Sequence, residues 1–121
     1  MEPKPQADKF IIYHNPRCTK SRNACQLIDT KGFPFEVREY LKDPLTAAEI
    51  KALLKKLNLT AHNIIRTNEE IYKLNFKGKE LTNDQWIHVL VQYPILIERP
   101  IVVKGDRAVI ARPIENLEVL F

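Results

Sequence analysis

The chain has 121 residues, 45% of them hydrophobic, which is enough for one compact domain with one core. Its 19 Lys and Arg stand against 15 Asp and Glu, a formal charge of +4; this favours small anions but lacks the basic stripe with interleaved aromatics of a nucleic-acid-binding protein. No apolar run approaches the ~20 residues that span a bilayer, and the leader MEPKPQADK has no apolar signal core, so a cytoplasmic monomer with no nucleic-acid or membrane partner is expected.

Residues 1–8 read as a disordered tail ahead of a single domain over 9–121. FIIYH, at 10–14, is a short apolar, β-rich run ended by Asn15-Pro16, hence a buried strand. From Ser21 onward Ala24, Cys25, Leu27 and Ile28 recur at helical spacing until Gly32 stops the pattern. FEVREYL, at 35–41, alternates like a second strand, which completes one βαβ unit.

A helical insertion follows at about 44–93. It opens with Thr46 as N-cap, Glu49 three residues on, and the apolar positions Ile50, Leu53, Leu54 and Leu57, an amphipathic helix with a capping box. TAHNIIR and NEEIYKLNF read as short helical turns, and LTNDQWIHVLVQYP as a helix closed before Pro94. Trp86, Val89 and Leu90 belong to its core face rather than to a stacking platform. IVV and RAVIA then form a hairpin across Lys104-Gly105-Asp106, and PIENLEVLF closes the chain as a helix with Pro113 at its start. With the helical block set aside, βαβ followed by ββα is the order of a thioredoxin-like α/β domain.

Cys18 falls between the first strand and the first helix. Unpaired backbone N–H groups and the helix dipole stabilise an anion there, and His14, Arg17, Lys20 and Arg22 are close in sequence. This is the setting of a reactive thiolate. Cys25 lies inside the helix on the apolar stripe and reads as a small buried side chain. Seven helical residues separate the two by ~10 Å, beyond the ~7 Å limit for a disulfide. Ser21 stands where a Cys-x-x-Cys pair would need its second thiol, so a resolving thiol must come from another molecule. Two cysteines with the scattered His14, His62 and His88 match no zinc pattern, and no metal site is expected.

Arg99 and Arg112 each precede a proline, which restricts their backbones, and they flank the hairpin. Arg66 interrupts NIIRTNE after an apolar pair. A guanidinium fork grips two oxygens of a tetrahedral oxyanion, but sequence spacing leaves open whether the three converge or merely pair with surface carboxylates.

YHNPRCTKSRN, IIRTNEE, YPILIERPIVV and ARPIE resemble, in order and spacing, the glutaredoxin-coupled arsenate reductases, a family related to the Spx regulators. The resemblance runs from about Lys9 to Phe121. It implies a thioredoxin-like fold with a helical insertion, Cys18 as nucleophile and His14 as the residue favouring its thiolate. It also implies Arg66, Arg99 and Arg112 as the oxyanion-binding arginines and Pro100 as a cis proline. Asn15 and Arg17 join the substrate-binding candidates as neighbours of Cys18; Arg17 and Lys20 depart from the small residues usual beside that cysteine. The implied reaction reduces arsenate to arsenite through a Cys18 adduct, with no bound cofactor, glutathione as co-substrate and glutaredoxin as partner. Two other readings remain at this point. One is a thiol oxidoreductase acting on another oxidised or glutathionylated substrate. The other is a regulator that docks on RNA polymerase, against which Ser21 counts by breaking the redox Cys-x-x-Cys.

Overall fold

A computed structural model describes residues 9–121; the tail expected at 1–8 lies outside the described residues. Two compact units are formed, one by residues 9–43 with 99–121 and one by 44–98.

The first unit holds a four-stranded sheet. Its strands are β1 (Phe10–Tyr13), β2 (Phe35–Arg38), β3 (Ile101–Lys104) and β4 (Arg107–Ile110), ordered β2-β1-β3-β4. β1 and β2 are parallel, with Tyr13 opposite Arg38, as a strand–helix–strand crossover requires. β3 runs antiparallel to β1, placing Tyr13 opposite Ile101, and β4 antiparallel to β3, placing Ile101 opposite Ile110. Gly105, at φ 63°, makes the tight hairpin turn between them. This register has one consequence for function. The residues after β1, those before β3 and those after β4 all emerge at the same end of the sheet.

Helix α1 (Thr19–Thr30) lies between β1 and β2 in sequence and buries Ser21, Ala24 and Ile28, spaced three and four apart. It starts two residues earlier than the apolar pattern suggests, so Cys18 is its N-cap. At its far end Gly32, at φ 83°, takes the left-handed position; its N–H donates to Asp29 O at 2.9 Å and the Phe33 N–H to Ile28 O at 3.3 Å, a Schellman closure. The core joins Phe10, Ile12, Ala24, Ile28, Val102, Ala111, Leu117 and Leu120. The order and pairing are those of a thioredoxin-like domain, as expected.

The closing segment differs from expectation. Ile114–Leu120 is a 3₁₀ helix, not an α-helix, with Pro113 as its N-cap. Its apolar residues Ile114, Leu117 and Leu120 recur every third position. That is the period at which a 3₁₀ helix stacks side chains on one face, and Leu117 and Leu120 are fully buried on it. Strand β2 is also shorter than its alternating run, ending at Arg38.

The second unit is helical. Helix α2 (Ala47–Leu57) carries the expected capping box: Thr46 Oγ1 accepts the Glu49 N–H at 3.1 Å and Glu49 Oε1 accepts the Thr46 N–H at 3.0 Å. After the 3₁₀ turn Ala61–Ile64 come α3 (Glu70–Asn75) and α4 (Asn83–Gln92). Trp86 is buried, with its ring 6.3 Å from Tyr72 and 5.0 Å from His62, so it is core as expected. An antiparallel bridge joins Ile65 to Ile97. No helix among the described residues is long and apolar enough to cross a membrane.

Candidate active site

The loop from His14 to Cys18 is built by its own hydrogen bonds. The His14 N–H donates to Arg38 O at 2.9 Å, tying the end of β1 to the end of β2. Asn15 is buried; its side-chain oxygen accepts the Arg17 N–H at 3.0 Å and its carbonyl the Cys18 N–H at 2.9 Å. Asn15 thus folds the loop back on itself, an Asx turn that delivers Cys18 to the start of α1. On the outer side, Arg22 donates to Pro16 O at 2.8 Å and to Thr19 Oγ1 at 3.2 Å. Arg17 and Lys20 are exposed.

Cys18 is half-buried, in extended backbone (φ −95°, ψ 122°), and its side chain makes no capping hydrogen bond. The first helical bond comes from the Arg22 N–H to Cys18 O, at 3.0 Å. Backbone donors of the first turn are therefore left without a capping side chain beside the thiol, and no acidic residue occupies that turn. Both features suit an anion.

Ser21 and His14 form the buried side of the loop. Ser21 Oγ accepts the Asn15 N–H at 3.0 Å and lies 2.6 Å from His14 Nδ1. Burial holds His14 below its ordinary value of 6.5; Glu39 pulls upward against this and Arg22 adds to the lowering. The ring is therefore uncharged at neutral pH. Nδ1 is the one acceptor for the Ser21 hydroxyl proton among the described residues, which places the ring proton on Nε2. His14 thus offers a dipole and a donor rather than a full positive charge. Its second neighbour is Cys25, whose Sγ lies 3.7 Å from Nδ1 and whose thiol is pushed up by burial. Cys25 is not merely core. Ser21 and Cys25, four residues apart, share one face of α1; that spacing is the only part of this cluster that the sequence shows.

Arg99 and Arg112 reach the same end of the sheet through β3 and β4. Both Arg99–Pro100 and Arg112–Pro113 peptide bonds are cis. The Ala111 N–H donates to Pro100 O at 2.9 Å, and Arg112 Nη1 donates to Arg99 O at 3.4 Å, which locks the two segments side by side. Nε and Nη1 of Arg99 are buried and have no hydrogen-bond partner among the described residues. Buried guanidinium nitrogens with unmade donors are costly unless an anion completes them. Arg66 belongs to the 44–98 unit, where its guanidinium meets Glu69 at 2.9 Å and Glu98 at 3.4 Å. No cluster of three or more His, Cys, Asp or Glu among the described residues has the arrangement of a metal site.

The first unit therefore gathers Cys18, His14, Asn15 and Arg17 with Arg99 and Arg112 at one sheet end. Residues 13–120 match the model of the ArsC family. The chain is 39% identical over 111 residues to an arsenate reductase of Neisseria meningitidis, covering 90% of this chain and 95% of that one. It is 39% identical over 113 residues to one of Haemophilus influenzae, covering 91% and 97%. The solved structure of an arsenate reductase from Vibrio cholerae superposes with a TM-score of 0.88 at 36% identity, covering 93% of this chain and 98% of that one. With the match spanning β2 to β4, the cysteine loop and both Arg-Pro segments, the chain belongs to the ArsC family.

Proposed function

We propose that this protein reduces arsenate to arsenite through Cys18. The observation that carries the reading is Arg99: a half-buried side chain whose Nε and Nη1 are buried without a partner among the described residues, at the sheet end where Cys18 begins α1. A tetrahedral oxyanion fits that need, since it accepts from a planar fork and from helix-start N–H groups together. Arsenate is the oxyanion whose central atom a thiolate can attack and reduce, and relatives bear that activity in their names.

In the proposed reaction the Cys18 thiolate attacks arsenic. With one proton taken up, an arsenate hydroxyl leaves as water and a Cys18–S–As(V) adduct remains. Arg99 and Arg112 neutralise the oxygens as charge builds, the kind of preorganised stabilisation that lowers such barriers. Asn15 and Arg17 hold the loop around the anion. The support for Arg66 as a third arginine is its IIRTNEE motif.

Reduction needs two electrons. Cys25 is seven residues along α1, ~10 Å at 1.5 Å per residue, beyond disulfide reach; both cysteines are free. An external thiol therefore supplies the second sulfur; in this reading it is glutathione, the co-substrate the family resemblance implies, and arsenite leaves as a Cys18–glutathione disulfide forms. Glutaredoxin resolves that disulfide with a second glutathione. The balance is H₃AsO₄ + 2 GSH → H₃AsO₃ + GSSG + H₂O, arsenic gaining the two electrons that two thiols lose.

The test is arsenite formation by purified protein with arsenate, glutathione and glutaredoxin. Turnover that vanishes in Cys18→Ser and persists in Cys25→Ala is expected. A folded protein that leaves arsenate unreduced under these conditions overturns the reading.

A further inference from the structure

Resting on that reading, we propose that Cys25 is a positioning residue for the Cys18 chemistry: its thiol closes the α1 side of the His14 ring beside Ser21, so that Nδ1 meets these two side chains rather than water. The contact is direct, Sγ to Nδ1 at 3.7 Å, next to the 2.6 Å Ser21 contact on the same nitrogen. The placement follows from α1. Cys25 lies one turn beyond Ser21 on the same face, and it packs against the cluster built on Phe10, Ala24 and Ile28.

Water exclusion is the property that matters here. Two charged groups act on His14 from neighbouring elements: Glu39, from the segment after β2, and Arg22, on α1. They push in opposite directions, and burial is the largest influence. On α1 the side chains that contact Nδ1 are Ser21 and Cys25. Burial also keeps the Cys25 thiol protonated, so it adds no charge beside the ring.

The state of the ring reaches Cys18 through Ser21. A protonated ring carries hydrogen on Nδ1, which turns the Ser21 hydroxyl from donor into acceptor. The oxygen then accepts from both Nδ1–H and the Asn15 N–H, and the hydroxyl proton has no other acceptor among the described residues in a fully buried site, an expensive arrangement. Asn15 in turn holds the Cys18 N–H. Keeping water from Nδ1 thus preserves the loop that presents the thiol.

The experiment compares wild type with Cys25→Ala and Cys25→Val, reading His14 by long-range ¹H–¹⁵N NMR across pH. In parallel, arsenate turnover is followed from acid to neutral pH. Wild type should show Nδ1 unprotonated and a titration midpoint below the ordinary histidine value. Cys25→Ala should move that midpoint upward, and the acid limb of kcat/KM should move with it. Cys25→Val refills the space and should return both towards wild type. An unmoved midpoint in Cys25→Ala overturns the proposal, as does a Cys25→Val midpoint displaced as far as that of the alanine variant. The NMR titration needs no turnover. A protein inactive on arsenate with the expected titrations would sink the arsenate reading alone.

Discussion

Replacing Arg99 with methionine separates the cost of this guanidinium from its use. Its Nε and Nη1 are buried and take no partner among the described residues, and each such unmade donor costs about 1–3 kcal/mol. Methionine keeps an unbranched apolar stem and removes both donors. The ligand-free variant should therefore be more stable by at least ~1 kcal/mol, a rise of about 4 °C in Tm for a domain of this size. Anion binding should move the other way. Arsenate at 100 times its Kd stabilises the wild type by about 2.7 kcal/mol. Losing charge-assisted hydrogen bonds worth ~1.5–3 kcal/mol weakens Kd by roughly tenfold to a hundredfold or more. At the same arsenate concentration the variant should then gain only about 0.4–1.4 kcal/mol. Thermal unfolding of both proteins with and without arsenate measures all four corners. A less stable ligand-free variant would mean that Arg99 already contributes to the fold, and equal anion responses would mean that Arg99 does not hold the ion; either result refutes the reasoning.

Three further outcomes are expected. His14 titrates lower in the folded chain than in the unfolded one, so its contribution to stability is complete above pH 6.5 and is lost as pH falls through the folded-state value. Denaturant unfolding of wild type against His14→Gln from pH 8 to 4 should show a difference that shrinks in that direction. Thr46→Ala removes the hydroxyl that accepts the Glu49 N–H and should cost ~1 kcal/mol, read as a lower urea midpoint at unchanged m. Leu117→Ala empties a fully buried position in the sheet unit and should cost ~2–5 kcal/mol; a loss below ~1 kcal/mol would mean that the 3₁₀ segment is not packed as described.

The parts of this protein that were legible in its sequence are those decided locally. The capping box of Thr46 and Glu49 involves four consecutive residues, and its chemistry reads directly from their types. Gly32 ends α1 because only a left-handed residue closes it there. The 3₁₀ segment was missed because Leu117 and Leu120 suit either helix, and only the period of three from Ile114 separates the two. His14 and Cys25 show a second kind of limit. Eleven residues separate them, and their contact depends on how β1 docks against α1, which no local pattern encodes.

The arginines show a third limit. An arginine's type alone looks the same in sequence whether it pairs with carboxylates or keeps buried donors unpaired. Arg66 and Arg99 demonstrate both outcomes in one chain: Arg66 meets Glu69 and Glu98, whereas Arg99 buries two donors that no described residue takes. What distinguishes them is where the fold puts carboxylates. Glu69 sits three residues from Arg66, within reach of any helical turn, and Glu98 arrives beside it through the Ile65–Ile97 bridge. Arg99 instead emerges from the start of β3, where the antiparallel register sets it beside the Arg112 segment at the sheet end that carries Cys18. A cation neutralised by two carboxylates adds little pull on an anion, while one left unneutralised in a buried setting pulls strongly, because low local dielectric magnifies its charge. Strand register, rather than the Arg-Pro motif itself, is therefore what sets the surroundings of Arg99 apart from those of Arg66.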